Sequence, residues 1–308
     1  MKEFIECVAN FSEGRNEVTI AALQAAVRSV REVHLLDTHR DVDHNRAVLT
    51  FVGPPEAAKW AAYRAIRVAC EAIDMNQHRG VHPRIGAADV IPFVPLRAEQ
   101  LPTCIEIARE LAEQVGKELE IPVYCYGAAA FAARNRNLER IRMGQYEWLK
   151  ENIARDADRH PDFGPARMGP AGATAIGARG PLIAFNVYLA SSETDHARTI
   201  ARNIRQSSGG LPCVKALGLM VGGQAQISMN LTDHRITSIS AVIRAIENEV
   251  RQLQVCIDRA ELVGLVPLAA MMEDARRHWH LPDLSSDHIL ETRVGQIRET
   301  GGEDFIAE

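Results

Sequence analysis

No stretch of this 308-residue chain approaches the roughly 20 consecutive apolar residues that span a bilayer. Met1-Lys-Glu-Phe-Ile-Glu-Cys7 has no apolar centre of the kind a secretory signal carries. A membrane is therefore not an expected partner, and the expected location is the cytoplasm. No run of Lys and Arg exceeds two, and the formal net charge is -5, so the basic footprint of a phosphate-backbone binder is missing and no nucleic acid is expected. None of the six cysteines forms a C-x-x-C pair for zinc or thiol exchange. Cys7, Cys104, Cys125 and Cys213 fall in or beside apolar segments, where a thiol acts as a small hydrophobe.

What is present reads as an ordinary folded protein, long enough to bury a real core. Phe4–Val8 reads as a strand and residues 17–31 as a helix; 33–37 and 46–52 read as strands joined by a polar loop at 38–45. Residues 55–74 form a helix opened by Pro54-Pro55, and 87–94 a strand. A helix at 102–117, a strand at 122–126 and a helical stretch at 138–149 follow. The order β-α-β-β-α-β then recurs, with strands at 182–189, 214–220, 224–231 and within 254–263 and helices at 194–206 and 236–252, before a last helix at 267–277. Val221-Gly-Gly223 is a hairpin signal, and the polar tail from Ser285 is peripheral. The expected fold is α+β: two ferredoxin-like βαββαβ subdomains, residues 1–178 and 179–308, their mostly antiparallel sheets facing each other across a ligand groove. Between the halves, Arg155–Pro181 is rich in Pro, Gly and Ala and reads either as a linker or as a loop that lays backbone against a ligand.

Three polar clusters interrupt the apolar pattern: Asn10–Arg15, Asp37–Arg46 and His78–Arg84, all expected in loops at strand ends. His39, His44, His78 and His82 with Asp37, Asp41 and Asp43 raise the question of a metal. The helical H-E-x-x-H pattern fails, because Gly80 lies between His78 and His82 and Pro83 disfavours a helical His82. No metal is expected. Acid-base chemistry fits better, since an imidazole titrating near neutrality accepts and returns a proton in one turnover. His82 is the candidate, with Arg79 and Arg84 as cations for a carboxylate, which Arg84 could hold bidentately.

The strings Glu6–Arg15, Leu35–Asp37, Asn45-Arg46, Phe51–Gly53, Asp74-Met75, His82–Arg84, Pro92-Phe93, Asp162–Pro165, Ala184–Asn186, Asn230-Leu231 and Leu262–Leu268 resemble the glutamate formimidoyltransferases, the transferase half of formimidoyltransferase-cyclodeaminases. The similarity runs in order over nearly the whole chain. It implies two α/β subdomains, a homodimer, and transfer of a formimino group from N-formimino-L-glutamate to N5 of tetrahydrofolate, a co-substrate, in histidine degradation. It implies that His82 is the catalytic acid-base and that Gly164, Pro165, Ala166, Arg167, Met168, Gly169, Pro170, Ala171 and Gly172 contact folate. Asp37, His44, Asn45, Arg46, His78 and Arg84 complete the candidate substrate site. The length leaves room for the transferase alone, so a cyclodeaminase is expected as a separate partner. Val81 stands where the family has Glu, Ala128 where an acidic residue follows Tyr124–Gly127, and Ala171 where an aromatic precedes Gly-Ala-Thr, in a loop one residue short. Two alternatives follow: a different formimino or formyl donor, and a catalytically silent folate binder.

Overall fold

The computed structural model describes residues 4–271, 280–281 and 284–299, and divides into two compact units at Gly180/Pro181. The first unit carries a six-stranded mixed sheet in the order β2-β3-β1-β4-β6-β5. Its strands are β1 (Ile5–Phe11), β2 (His34–Asp41), β3 (Arg46–Gly53), β4 (Ala88–Pro95), β5 (Val123–Gly127) and β6 (Thr174–Ala178). The pairings among β1 to β4 are antiparallel, and β6 runs parallel to both neighbours. Register places Cys7 opposite both Phe51 and Phe93, so one face carries fully buried apolar side chains. Each such phenylalanine contributes about 1.5–3 kcal/mol by leaving water.

Three helices cover that face. Helix α1 (Glu17–Arg28) starts where the Asn16 side chain accepts from the backbone N–H groups of Val18 and Thr19, and it buries Ile20, Leu23 and Val27. Helix α2 (Pro55–Ala72) opens on proline, whose missing N–H costs nothing in the first turn. Helix α3 (Leu101–Glu118) buries Cys104, Ile107, Ala108, Leu111 and Val115 at helical spacing. Burial pushes the thiols of Cys104 and Cys125 up to about 12, as expected of cysteines that serve as hydrophobes. Cys213 differs: it is half-buried, at positive φ, in the turn before the second hairpin.

Two sequence expectations are corrected in this unit. Residues 174–178, inside the expected linker, form β6 between β4 and β5, every residue of it buried. Its Ala and Gly content mimics a linker, yet small residues are what this place admits: a Cβ on Gly177 would lie 2.4 Å from the Tyr126 carbonyl oxygen and 2.5 Å from its ring. The stretch 138–149 is two helices, α4 (Leu138–Ile141) and α5 (Gln145–Asn152), broken at Gly144 with φ +82°.

The second unit is a four-stranded antiparallel sheet, order β10-β7-β9-β8, built from β7 (Ile183–Leu189), β8 (Val214–Val221), β9 (Gln224–Leu231) and β10 (Ile257–Val263). This repeats the β4-β1-β3-β2 order of the first unit, the ferredoxin-like arrangement. Helices α6 (Thr194–Ile204) and α7 (Ile239–Leu253) pack with it into a separate core. Gly222 and Gly223, with φ +57° and +76°, close the β8-β9 hairpin in two residues. The tail contains a helix, α8 (Leu290–Glu299), preceded by a bridge from Val266 to Ile289. Of the expected helix at 267–277, Leu268–Ala270 form a 3₁₀ turn and residues 272–277 lie outside the described residues. No helix among the described residues is long and apolar enough to cross a membrane.

Candidate active site

The three polar clusters converge at one end of β1, β3 and β4. The middle one is not a loop throughout: β2 continues through Asp41, in register with Arg46, and only residues 42–45 turn. Asn45 binds the clusters together from a left-handed backbone conformation, φ +48°. Its Oδ1 accepts from Gly14 N (3.0 Å), its Nδ2 donates to Arg79 O (3.0 Å), and its carbonyl accepts from His78 Nε2 (2.9 Å). The backbone of Val81 also donates to Asp43 O, at 3.2 Å. The close approach requires Gly80, where a Cβ would sit 2.2 Å from the His44 carbonyl oxygen.

The two histidines of the third cluster are held in opposite tautomers, and their partners decide which. A carbonyl only accepts and a guanidinium only donates. His78 therefore carries its hydrogen on Nε2, toward Asn45 O, and receives Arg84 Nε on Nδ1 at 3.2 Å. His82 carries its hydrogen on Nδ1, toward its neighbour Pro83 O at 2.8 Å, and presents the Nε2 lone pair to Arg46 Nη1 at 2.6 Å. His82 is half-buried, and desolvation holds its pKa well below the usual histidine value. Arg46, Arg142 and His44, whose ring centre is 5.6 Å away, push the same way. At neutral pH it is a neutral base with its lone pair on the ring nitrogen that faces Arg46.

Arg46 donates its second terminal nitrogen to Asn10 Oδ1, while Asn10 Nδ2 donates to Val8 O. Its Nε–H is buried with no hydrogen-bond partner, and no carboxylate among the described residues ion-pairs with it. Burial and the proximity of Arg142 lower its pKa to about 9, which still leaves it charged at neutrality. Arg142 is paired with the buried carboxylate of Asp89, which also accepts from Ile85 N at 2.8 Å.

Arg84 is 6% exposed, and its fork is filled by Glu147 at 2.8 and 2.7 Å, with Gln145 at 3.1 Å. The pair holds the Glu147 carboxyl down at about 2. The structure thus gives the expected carboxylate-holding role of Arg84 to an internal partner and leaves Arg46 with neutral acceptors only. Asp37 sits on β2 opposite Thr50, and His44 Nδ1 lies 3.8 Å from Asp41. No group of three His, Cys, Asp or Glu able to hold a metal occurs among the described residues.

Residues 164–172 remain a loop, tied down at both ends. Phe163 bridges to Val123 and Gly172 to Gly86. Met75 N donates to Pro170 O and Ala87 N to Ala171 O, each at 2.8 Å. Met168 and Gly172 are buried; Gly164, Arg167, Gly169 and Pro170 are exposed; Pro165, Ala166 and Ala171 are half-buried. Because Ile85–Ala87 follow His82 closely in the chain, these ties bring the segment to the neighbourhood of the histidine. Asn10, Asp89, Arg142 and Glu147 were not marked by the sequence. Asn10 stood in a polar cluster, but Asp89 lies at the start of an apolar strand and Arg142 and Glu147 in a stretch that reads as one amphipathic helix.

Comparison with known proteins covers both units. The family described as Formiminotransferase domain, N-terminal subdomain, matches residues 4–179, and Formiminotransferase domain matches residues 184–293. A Glutamate formimidoyltransferase of Thermoplasma acidophilum is 44% identical over 294 residues, 94% of this chain and 97% of that protein. One of Streptococcus pyogenes serotype M1 is 39% identical over 298 residues, 96% and 99% respectively. A Formimidoyltransferase-cyclodeaminase of Mus musculus is 40% identical over 284 residues, 89% of this chain and 52% of that longer protein.

Proposed function

Because this chain belongs to the formiminotransferase family, we propose that it is a glutamate formimidoyltransferase, moving the formimino group of N-formimino-L-glutamate to N5 of tetrahydrofolate, with His82 as the proton carrier. One observation carries the catalytic assignment: His82 is a neutral imidazole whose Nδ1–H is occupied by Pro83 O, so Nε2 alone is available to take a proton.

N5 attacks the amidine carbon of the donor and forms the new C–N bond, leaving a tetrahedral carbon and a positively charged N5. Nε2 of His82 takes the N5 proton and delivers it to the glutamate nitrogen as the old C–N bond breaks, releasing L-glutamate and 5-formiminotetrahydrofolate. Burial and the neighbouring cations keep the free imidazole unprotonated at neutrality, so it enters the reaction as a base. The segment 164–172 carries the folate, and Arg46 meets a carboxylate of the donor. Asn45 and His78 hold the loop that carries His82, the His44 ring lies 5.6 Å from that of His82, and Asp37 lies on the neighbouring strand.

The test is an absorbance assay for 5-formiminotetrahydrofolate beside calorimetry of folate binding, with N-formyl-L-glutamate as a second donor because Val81 is 47% exposed at this loop. Turnover with the formimino donor is expected. Folate binding without turnover of either donor identifies a silent binder instead. His82→Ala is expected to lower kcat by about 10²–10⁴-fold, the usual worth of a positioned acid-base group. A loss within about threefold overturns the assignment of His82.

A further inference from the structure

Arg46 is a buried-site cation with an incomplete set of partners. Nη1 meets the His82 lone pair, Nη2 meets an amide oxygen, Nε meets nothing, and no carboxylate among the described residues ion-pairs with it directly, Asp89 and Asp41 acting on it only from a distance. Arg142 stands within electrostatic reach of both Arg46 and His82, paired to Asp89 through one terminal nitrogen, and its own Nε–H is buried with no hydrogen-bond partner. Two guanidinium groups thus act on the histidine, Arg46 in contact with it and Arg142 through space, and between them they hold one carboxylate. A guanidinium prefers a charged bidentate acceptor to a single neutral nitrogen, and the difference grows where water is scarce. A carboxylate brought to this place offers Arg46 a better partner than His82 does.

Resting on the transferase reading above, we propose that Arg46 and Arg142 form the anchor for a carboxylate of the amino-acid donor, and that the carboxylate draws Arg46 off His82 Nε2 and frees the lone pair. Arg46 is then both anchor and catch: without donor it caps the base, and with donor it releases it. A small amidine lacking a carboxylate leaves the cap in place. The charged and titratable groups around His82 are Arg46 from β3, His44 from the β2-β3 turn and Arg142 after α4, with Asp41 on β2 and Asp89 on β4 acting on Arg46. Of these only Arg46 touches the ring nitrogen that reacts.

The experiment follows the His82 ring by nitrogen NMR in the full-length protein labelled at histidine, titrated with pH alone, with L-glutamate, and with formamidine as the carboxylate-free amidine. Glutamate is expected to raise the His82 pKa toward its usual value; formamidine is expected to leave it unchanged. In Arg46→Gln the pKa is expected to stand high without ligand. Kinetically, Arg46→Lys and the charge-balanced pair Asp89→Asn/Arg142→Gln, which leaves no buried carboxylate unpaired, are expected to raise KM for the formimino donor at least about tenfold while KM for tetrahydrofolate stays within about twofold. A His82 pKa indifferent to glutamate, or donor KM values unmoved in both variants, overturns the proposal. A wild-type protein that shifts with glutamate yet forms no 5-formiminotetrahydrofolate keeps the anchor and removes the transferase reading; the reverse pair of results removes the anchor alone.

Discussion

At the scale of single residues, the proposed chemistry turns on which ring nitrogen is left over. Pro83 supplies both constraints on His82: it keeps the preceding backbone extended, and its carbonyl takes the Nδ1–H. The pKa of His82 and that of His78 both lie below the ordinary histidine value. The unfolded chain therefore binds protons that the folded one refuses, so stability is full above the ordinary value of about 6.5 and falls as pH drops below it. Urea unfolding at pH 7.5 and pH 5.5 measures this; the His82→Gln variant is expected to lose less stability between the two than wild type does. His82 stands out in the sequence as a candidate because a proline, two arginines and a second histidine crowd around it, and the structure brings Arg46 and His44 to it as well. Arg142 and Asp89 were not, because each carries a long-range meaning that its own neighbours in the chain do not signal.

At the scale of elements, local spacing announces amphipathic helices and the β8-β9 hairpin well, because their signals are short in range. It misjudged β6. A strand buried on both faces between two parallel neighbours shows no alternation, and one that needs small residues has the composition of a linker. Gly177→Val is expected to cost about 1–3 kcal/mol by forcing a side chain against Tyr126, seen as a lower urea midpoint with an unchanged slope. The long apparent helix at 138–149 failed for a related reason: a glycine at positive φ ends one helix and starts another, and the sequence shows only a glycine.

At the scale of the whole molecule, each unit encloses its own apolar cluster, and the repeated strand order that the sequence displayed twice is present twice. Every residue placed around His82 belongs to the first unit. Residues 1–180 produced alone are expected to unfold cooperatively and to keep the Nδ1–H tautomer of His82 in nitrogen spectra; a molten fragment without near-ultraviolet dichroism would show that this core does not suffice. The loop at 164–172 has a kinetic consequence at the same scale. It is tied down at Phe163, Pro170, Ala171 and Gly172, so on the proposed reading folate meets a surface that folding has already ordered. Capture then proceeds without a closing step: stopped-flow traces are expected to show one phase, with an association rate proportional to folate concentration and in the range of about 10⁵–10⁷ M⁻¹s⁻¹, leaving the residence time to distinguish one folate from another.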